Sequence, residues 1–346
     1  MQTFQNILVV RTDRIGDVVL TTPALSALRR RFPAARITVL IAPSTKDILD
    51  ENPDIDEILL DDRKGEHTQA QGFWGLVKTL RQKKFDLAII FHTKNRTNLA
   101  CFLAGIPTRI GYKNNKLGFL LTRQIRDARP EGKLHEARYC LELLKDLGVD
   151  ANHDLKLIFP LKYHAEKWAD KFFGENDLLG NAPVIAIHPG ASCVSKRWPP
   201  AKFRETIGKL EKELKAKVIL VGGDDTKSIG EEITGSAGGS SIVNLIGRLH
   251  LSQLASVLKR CQLLISNDSG PVHVAVAVGT PVISIFGRNQ AGLSPVRWKP
   301  LGPKDIVLHK EVGCVVCLAH NCNINFKCLE AISAEEVVES TKKILK

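Results

Sequence analysis

The sequence predicts an α/β protein made of two doubly wound lobes, and three observations carry that expectation. Short β-rich apolar runs alternate with helical patterns along the chain, the form that βαβ units around a parallel sheet take in sequence. The alternation halts across a polar stretch near residues 150–181 and then restarts. At 346 residues the chain also exceeds the length at which one hydrophobic core ordinarily stops growing.

In the first half, residues 7–10, 37–41, 57–60, 87–91 and 109–111 are the expected strands. Helical periodicity marks 18–31, 73–83, 97–105 and 135–148 between and after them. The break holds Pro160 and a helical pattern over 163–173. Strands are then expected at 184–188, 217–221, 241–244, 263–266 and 282–286, with helices at 201–214, 228–235, 251–261 and 271–279. A cysteine-rich loop leads to a last amphipathic helix over 334–345. The expected domains are therefore 1–160, a linker 161–182, a second lobe 183–332 and a terminal helix 333–346. No repeat of solenoid length and no low-complexity tract interrupts them.

Composition narrows the function class. Lys and Arg total 49 against 37 Asp and Glu, a net charge of +12. That excess suits phosphates, nucleic acid or anionic lipid as partners, or serves solubility alone. The apolar run at 7–10 is too short for a signal-peptide core and meets Arg11 at once, so no export is indicated. The charge-free stretch 270–286 is divided by Gly279-Thr280-Pro281 into a helix and a strand, which argues against a membrane span and for a soluble protein. Eight cysteines in such a context imply reduced thiols.

Ligands of open α/β sheets lie beyond the carboxyl ends of strands, where helix N-termini favour anions. Three segments fall there. Arg11-Thr12-Asp13-Arg14-Ile15-Gly16-Asp17 follows the first strand; Gly16 permits close approach, and Asp17 is either a helix cap or a functional carboxylate. The segment lacks both the G-x-G-x-x-G fingerprint and the G-x-x-x-x-G-K-S/T phosphate loop. His188-Pro189-Gly190-Ala191, followed by Lys196-Arg197-Trp198-Pro199, combines a glycine turn with two cations suited to a diphosphate. Trp198 is a base-stacking platform or a buried anchor. The third segment runs Ser266-Asn267-Asp268-Ser269-Gly270-Pro271-Val272-His273, with Ser269 as the expected cap, Pro271 in the first turn, and His273 either in the core or at a ligand.

Taken in order, R-T-D-R-I-G-D, H-P-G-A, K-R-W-P, D-S-G-P-V-H and a late cysteine cluster resemble the heptosyltransferases of glycosyltransferase family 9, which add heptose from ADP-heptose to the inner core of lipopolysaccharide. The ordered set spans nearly the whole chain. The resemblance implies a GT-B fold, with two facing Rossmann-like domains about a central cleft, the acceptor on the N-terminal one and the nucleotide-sugar on the C-terminal one. It implies Asp17 as general base of an inverting transfer, Lys196 on the diphosphate, and Asp268, Ser269 and Gly270 around the donor's phosphates and sugar. The ribose carboxylate has no clean counterpart after Gly222-Gly223; Asp224 or Asp225 stands in its place. A helix N-terminus that favours Asp17 as an anion also weakens it as a base, and the two are reconciled if bond breaking runs ahead, so that the hydroxyl proton is already acidic when it is taken. Gly16, His188, Pro189, Gly190, Arg197, Trp198 and His273 complete the expected donor site.

Lys94, Arg96, Arg109, Lys113, Lys116 and Arg123 cluster in the first half and suit an acidic acceptor, a lipopolysaccharide core or a lipid A–Kdo unit, or else form a solvated face. The expected setting is cytoplasmic, at the inner face of the cytoplasmic membrane and touching its anionic surface, with a monomeric enzyme. Transfer is expected to need no cofactor. Cys314, Cys317, Cys322 and Cys328 have the spacing of a compact four-thiolate site for zinc or iron, or are free thiols in a packed loop. Transfer of another nucleotide-sugar to a different cell-surface glycan, and two-lobed nucleotide-sugar epimerases, are rival readings. Nucleic-acid binding finds no helix-turn-helix, zinc-finger or stacking signature.

Overall fold

The computed structural model describes residues 3–235 and 242–346. The chain divides into two compact units, Met1–Pro160 and Leu161–Lys346. The first holds β1 (Asn6–Arg11), β2 (Arg36–Ile41), β3 (Glu57–Leu60), β4 (Leu87–Ile90), β5 (Thr108–Tyr112) and β6 (Arg123–Ile125); the second holds β7 (Val184–His188), β8 (Lys217–Leu220), β9 (Ile242–Asn244), β10 (Leu263–Asn267), β11 (Val282–Ile285) and β12 (Ile306–Leu308). The expected strand at 241–244 is found from Ile242; residue 241 lies outside the described residues.

Every pairing is parallel, in the orders β3-β2-β1-β4-β5-β6 and β12-β11-β10-β7-β8-β9. Renumbered within its unit, the second order is the first one read backwards, and both are the 3-2-1-4-5-6 arrangement of doubly wound sheets. The order reverses between β1 and β4 in one unit and between β7 and β10 in the other. Helices cover both faces, so central strands are buried on both sides and read as unbroken apolar runs such as Ile7-Leu8-Val9-Val10. Leu8, Val10, Ala88 and Ile90 pack against Leu76, Val77 and Leu80 in the first unit. Ile185, Ile187, Val218, Ile265 and Ile283 centre the core of the second. Each buried Val, Leu or Ile among these contributes about 1.5–3 kcal/mol through removal from water.

Four differences from the sequence reading have local causes. The expected helix 18–31 is two helices, Ile15–Val19 and Thr22–Arg31, because Pro23 cannot donate within a continuous helix and sits in the first turn of the second. Strands β6 and β12 are three-residue edge strands outside the expected set: β6 (Arg123-Gln124-Ile125) has no apolar run, and β12 (Ile306-Val307-Leu308) is apolar but only three residues long. The expected linker contains helix Tyr163–Glu175, which belongs to the second unit: Arg260 Nη1 reaches Glu166 at 2.7 Å and Arg260 Nη2 reaches Asp170 at 2.6 Å. The terminal helix Ala334–Leu345 is likewise part of that unit, burying Val337, Val338 and Ile344 in its core.

Candidate active site

In the first unit the switch point is occupied by an ionic network around Arg11. Register sets Val10 of β1 beside Ile90 of β4, so Arg11 emerges next to Phe91 and donates from Nη1 to its carbonyl at 2.6 Å. Its Nη2 lies 3.0 Å from Asp17 Oδ1 and 2.8 Å from Glu136 Oε1, and its Nε 3.5 Å from Asp13 Oδ2. Lys94 pairs with Asp13 at 2.5 Å and donates to the Thr12 carbonyl at 2.7 Å. Buried His92, after β4, meets the Thr12 hydroxyl at 3.2 Å through Nε2, and burial depresses its pKa to about 3, so it is neutral at physiological pH.

The two aspartates of this loop differ in proton affinity. Burial raises the Asp17 carboxyl; Arg11 opposes it, while the neighbouring charges of Asp13 and Glu136 add to it, and the net shift is upward. Burial acts on Asp13 in the same sense, but Arg11 and Lys94 outweigh it and the net shift is downward. Asp17 is thus the better proton acceptor. It also accepts the Arg14 N–H, at a long 3.4 Å, so capping and a raised proton affinity coexist in one side chain. The helix that Asp17 enters has only five residues, Ile15–Val19, with Gly16 buried in its first turn. Its dipole is correspondingly small, and burial governs instead.

In the second unit the register pairs His188 of β7 with Ser266 of β10. His188 Nδ1 lies 3.3 Å from Ser266 Oγ and 3.0 Å from Ser269 Oγ, and burial lowers its pKa to about 4. His188 is therefore a neutral strut. Ser269 holds the expected N-cap position of helix Gly270–Ala277, yet its hydroxyl turns to His188 and Ser266 and makes no capping bond. Asn267 joins the two upstream loops, accepting the Trp198 N–H at 3.0 Å and donating to the Pro189 carbonyl at 2.7 Å. The backbone approaches Thr226 closely at both glycine turns: a Cβ at Gly190 would lie 2.4 Å from Thr226 Oγ1 and force it to shift, and one at Gly222 would lie a tight 3.0 Å from Thr226 Cβ.

Asp268, just beyond β10, binds two cations through one oxygen: Lys196 Nζ at 2.9 Å and Arg288 Nη2 at 3.0 Å. Arg197 is clipped to the Ala191 carbonyl at 3.1 Å through Nε. Gly223 precedes a turn carrying exposed Asp224 and Asp225, the former paired with Lys227 at 2.7 Å. His273 is buried in helix Gly270–Ala277. Trp198 corrects the donor-site expectation: it is 1% exposed, donates from Nε1 to the Ile332 carbonyl at 3.2 Å and packs edge-on against Phe203. It anchors the loop to the core and presents no face for a base.

The six basic residues of the first half do not form one face. Lys94, Arg96 and Lys116 line a cavity of about 590 Å³ with Arg63, Thr93, Asn95, Asn114 and Asn115, supplied by the loops after β3, β4 and β5 and by the start of helix Asn95–Leu103. Arg96 is braced by the His67 carbonyl at 2.8 Å and by the Phe73 ring. Arg109 is used structurally, donating to the carbonyls of Leu120 and Ile106. Arg123 lies on edge strand β6 and lines a different cavity with Phe4, Arg31 and Lys145. Lys113 is exposed and outside the lining of both cavities.

The four-cysteine spacing does not translate into a metal centre. Among the described residues no group of three or more His, Cys, Asp or Glu side chains is arranged to hold a metal ion. Cys328 donates its thiol to the Gly287 carbonyl at 2.8 Å, Cys322 accepts from the Phe326 N–H, Cys317 accepts from the Asn289 N–H, and Cys314 is exposed. Burial raises the Cys328 thiol above its ordinary pKa, which favours the protonated donor over the thiolate that a metal needs.

Glu136, His92, Asn267, Arg288, Arg63, Asn114 and Asn115 were not assigned roles from sequence. Asn267 alone lay within a recognised segment.

The profile of glycosyltransferase family 9 (heptosyltransferase) matches residues 73–327. Lipopolysaccharide heptosyltransferase 3 of Escherichia coli (strain K12) is 29% identical over 339 residues, covering 95% of each chain. The crystal structure of a glycosyl transferase family 9 protein from Veillonella parvula superposes with a TM-score of 0.90 at 26% identity, covering 100% of this chain and 98% of that one. The E. coli ADP-heptose lipopolysaccharide heptosyltransferase II structure gives a TM-score of 0.79 at 23% identity over 99% and 98% of the two chains, a likeness of fold. The two parallel six-stranded sheets are thus those of a GT-B fold, and the epimerase reading gives way to the family match. The chain belongs to glycosyltransferase family 9 (heptosyltransferase) and is a glycosyltransferase.

Proposed function

We propose that this heptosyltransferase acts in lipopolysaccharide core biosynthesis, moving heptose from ADP-L-glycero-D-manno-heptose to an inner-core hydroxyl with inversion at the anomeric carbon. Asp17 takes the acceptor's hydroxyl proton as the new C–O bond forms, and ADP departs from the opposite face of the sugar through a transition state of oxocarbenium character. Lys196 and the uncapped amides at the start of helix Gly270–Ala277 receive the charge growing on the diphosphate. His188 holds Ser269 in place, and Asp224 or Asp225 binds the ribose.

The observation that carries this reading is the difference between Asp17 and Asp13. Of these two, Asp17 alone has its proton affinity raised by its surroundings, and it stands where the sheet order reverses. The cavity to which Arg63 and Lys116 contribute, beside Lys94 paired with Asp13 and Arg96 paired with Asp61, suits the phosphates and acidic sugars of a lipopolysaccharide core or lipid A–Kdo acceptor. With a net charge of +12, the enzyme works as a monomer in the cytoplasm, against the inner face of the cytoplasmic membrane. Among the described residues no helix is long and apolar enough to cross a membrane.

The test is transfer from ADP-heptose to a panel of truncated cores lacking the first, second or third heptose. Transfer to one member of the panel is expected. Inactivity on every heptose-deficient core, with turnover of a different nucleotide-sugar, contradicts the reading.

A further inference from the structure

The Asp268 carboxylate is shared by Lys196 and Arg288, and both cations approach the same oxygen, Oδ2. Arg288 is 5% exposed and its Nε is buried with no hydrogen-bond partner. An arginine held only for structure ordinarily satisfies all the donors it buries. The fold sets this geometry: Asp268 N–H donates to the Ile285 carbonyl at the end of β11, and Arg288 follows three residues later.

A lysine bound to one aspartate forms a neutral pair with little attraction left for an anion. Here two cations meet one carboxylate, and the cluster keeps one net positive charge in a buried setting, where screening is weak. We propose that Arg288 is a positioning residue for the donor's diphosphate: by holding Asp268, it leaves the Lys196 ammonium uncompensated and available to the phosphates. The proposal rests on the placement of the donor diphosphate at Lys196 given above.

The experiment is calorimetric binding of ADP and adenosine to the full-length wild-type protein and to Arg288→Met, Arg288→Lys and the double variant Asp268→Asn/Arg288→Met. Arg288→Met is expected to weaken ADP about tenfold and leave adenosine unchanged, because one unit of local charge acts on the diphosphate alone. Arg288→Lys keeps the charge and should stay within about threefold of wild type. The double variant restores the net charge, so it should bind ADP more tightly than Arg288→Met. Unchanged ADP affinity in Arg288→Met, an equal loss of adenosine affinity, or no recovery in the double variant overturns the proposal. If Arg288→Met does not fold, Arg288→Lys decides alone, and a tenfold loss of ADP affinity there is the contrary result. Should wild-type protein bind ADP no better than adenosine, the donor-site placement itself fails; if it prefers ADP and every variant does so equally, only the role of Arg288 fails.

Discussion

Arg11 Nη2 lies 3.0 Å from Asp17 Oδ1, and the same nitrogen lies 2.8 Å from Glu136 Oε1. One guanidinium thus serves two carboxylates, with Asp13 on its Nε as a third. Lys94 pairs with Asp13, and Arg129, which donates to the same Phe91 carbonyl as Arg11, also bears electrostatically on Glu136. Burial pushes the Asp17 carboxyl up, and the charges of Asp13 and Glu136 add to that shift against the opposing pull of Arg11. The cluster around Asp268 has the opposite balance, with two cations on one carboxylate.

Glu136→Gln tests this balance. Removing the competing charge lets Arg11 bear more fully on Asp17, so the Asp17 pKa falls. A base must be deprotonated to act, so the acidic limb of the kcat profile should move to lower pH. The plateau should fall too, because the base is weaker. A profile with its limb unmoved or shifted upward argues that Glu136 does not tune Asp17.

Stability should show the cost of this arrangement. A carboxyl whose folded pKa is raised contributes stability below its unfolded pKa, and that contribution is lost as pH rises through the folded pKa. Asp17→Asn, neutral at every pH, should therefore melt higher than wild type near neutrality. At about pH 3, below the ordinary aspartate range, the gain should vanish. Thermal melts at the two pH values check both parts.

Lys196→Ala should weaken ADP binding about 10- to 100-fold, the range for loss of a charge-assisted hydrogen bond, with adenosine little affected. Trp198 behaves differently if it is an anchor. Trp198→Ala should cost about 3–5 kcal/mol of stability. Trp198→Phe should leave the ADP Kd within about twofold, since base stacking, worth about 1–3 kcal/mol, is not lost.

The first-unit cavity predicts a split among its basic residues. Arg63→Ala with Lys116→Ala should raise the acceptor KM about tenfold and flatten its salt dependence, with kcat at saturation retained. Arg109→Ala should instead lower the melting temperature and leave the acceptor KM unchanged, because its guanidinium braces the carbonyls of Leu120 and Ile106. Equal KM effects from both sets of substitutions contradict this division.

Central strands were legible because burial on both faces makes them continuous apolar runs. Edge strand β6 carries no such signal, and in β12 it is only three residues long, Ile306-Val307-Leu308. Pro23 was visible in the sequence, but whether a proline kinks one helix or opens a second depends on packing. At the site, Asp17 and Ser269 were legible because each lies in a short motif at a strand end. Glu136 was not, since its partner Arg11 is 125 residues away. Arg288 stands 20 residues from Asp268 and in no motif. For Arg109 and Trp198, residue type announced charge and aromaticity, but the direction of the side chain is set by contacts distant in sequence.

Single-turnover heptose transfer by Asp17→Asn and Asp13→Asn, each with its ADP affinity measured in parallel, tests the central claim most directly. The account predicts a loss of about 10²–10⁴ in rate for Asp17→Asn with ADP affinity intact, and a smaller loss for Asp13→Asn. A larger loss in Asp13→Asn, or near-normal transfer by Asp17→Asn, contradicts it.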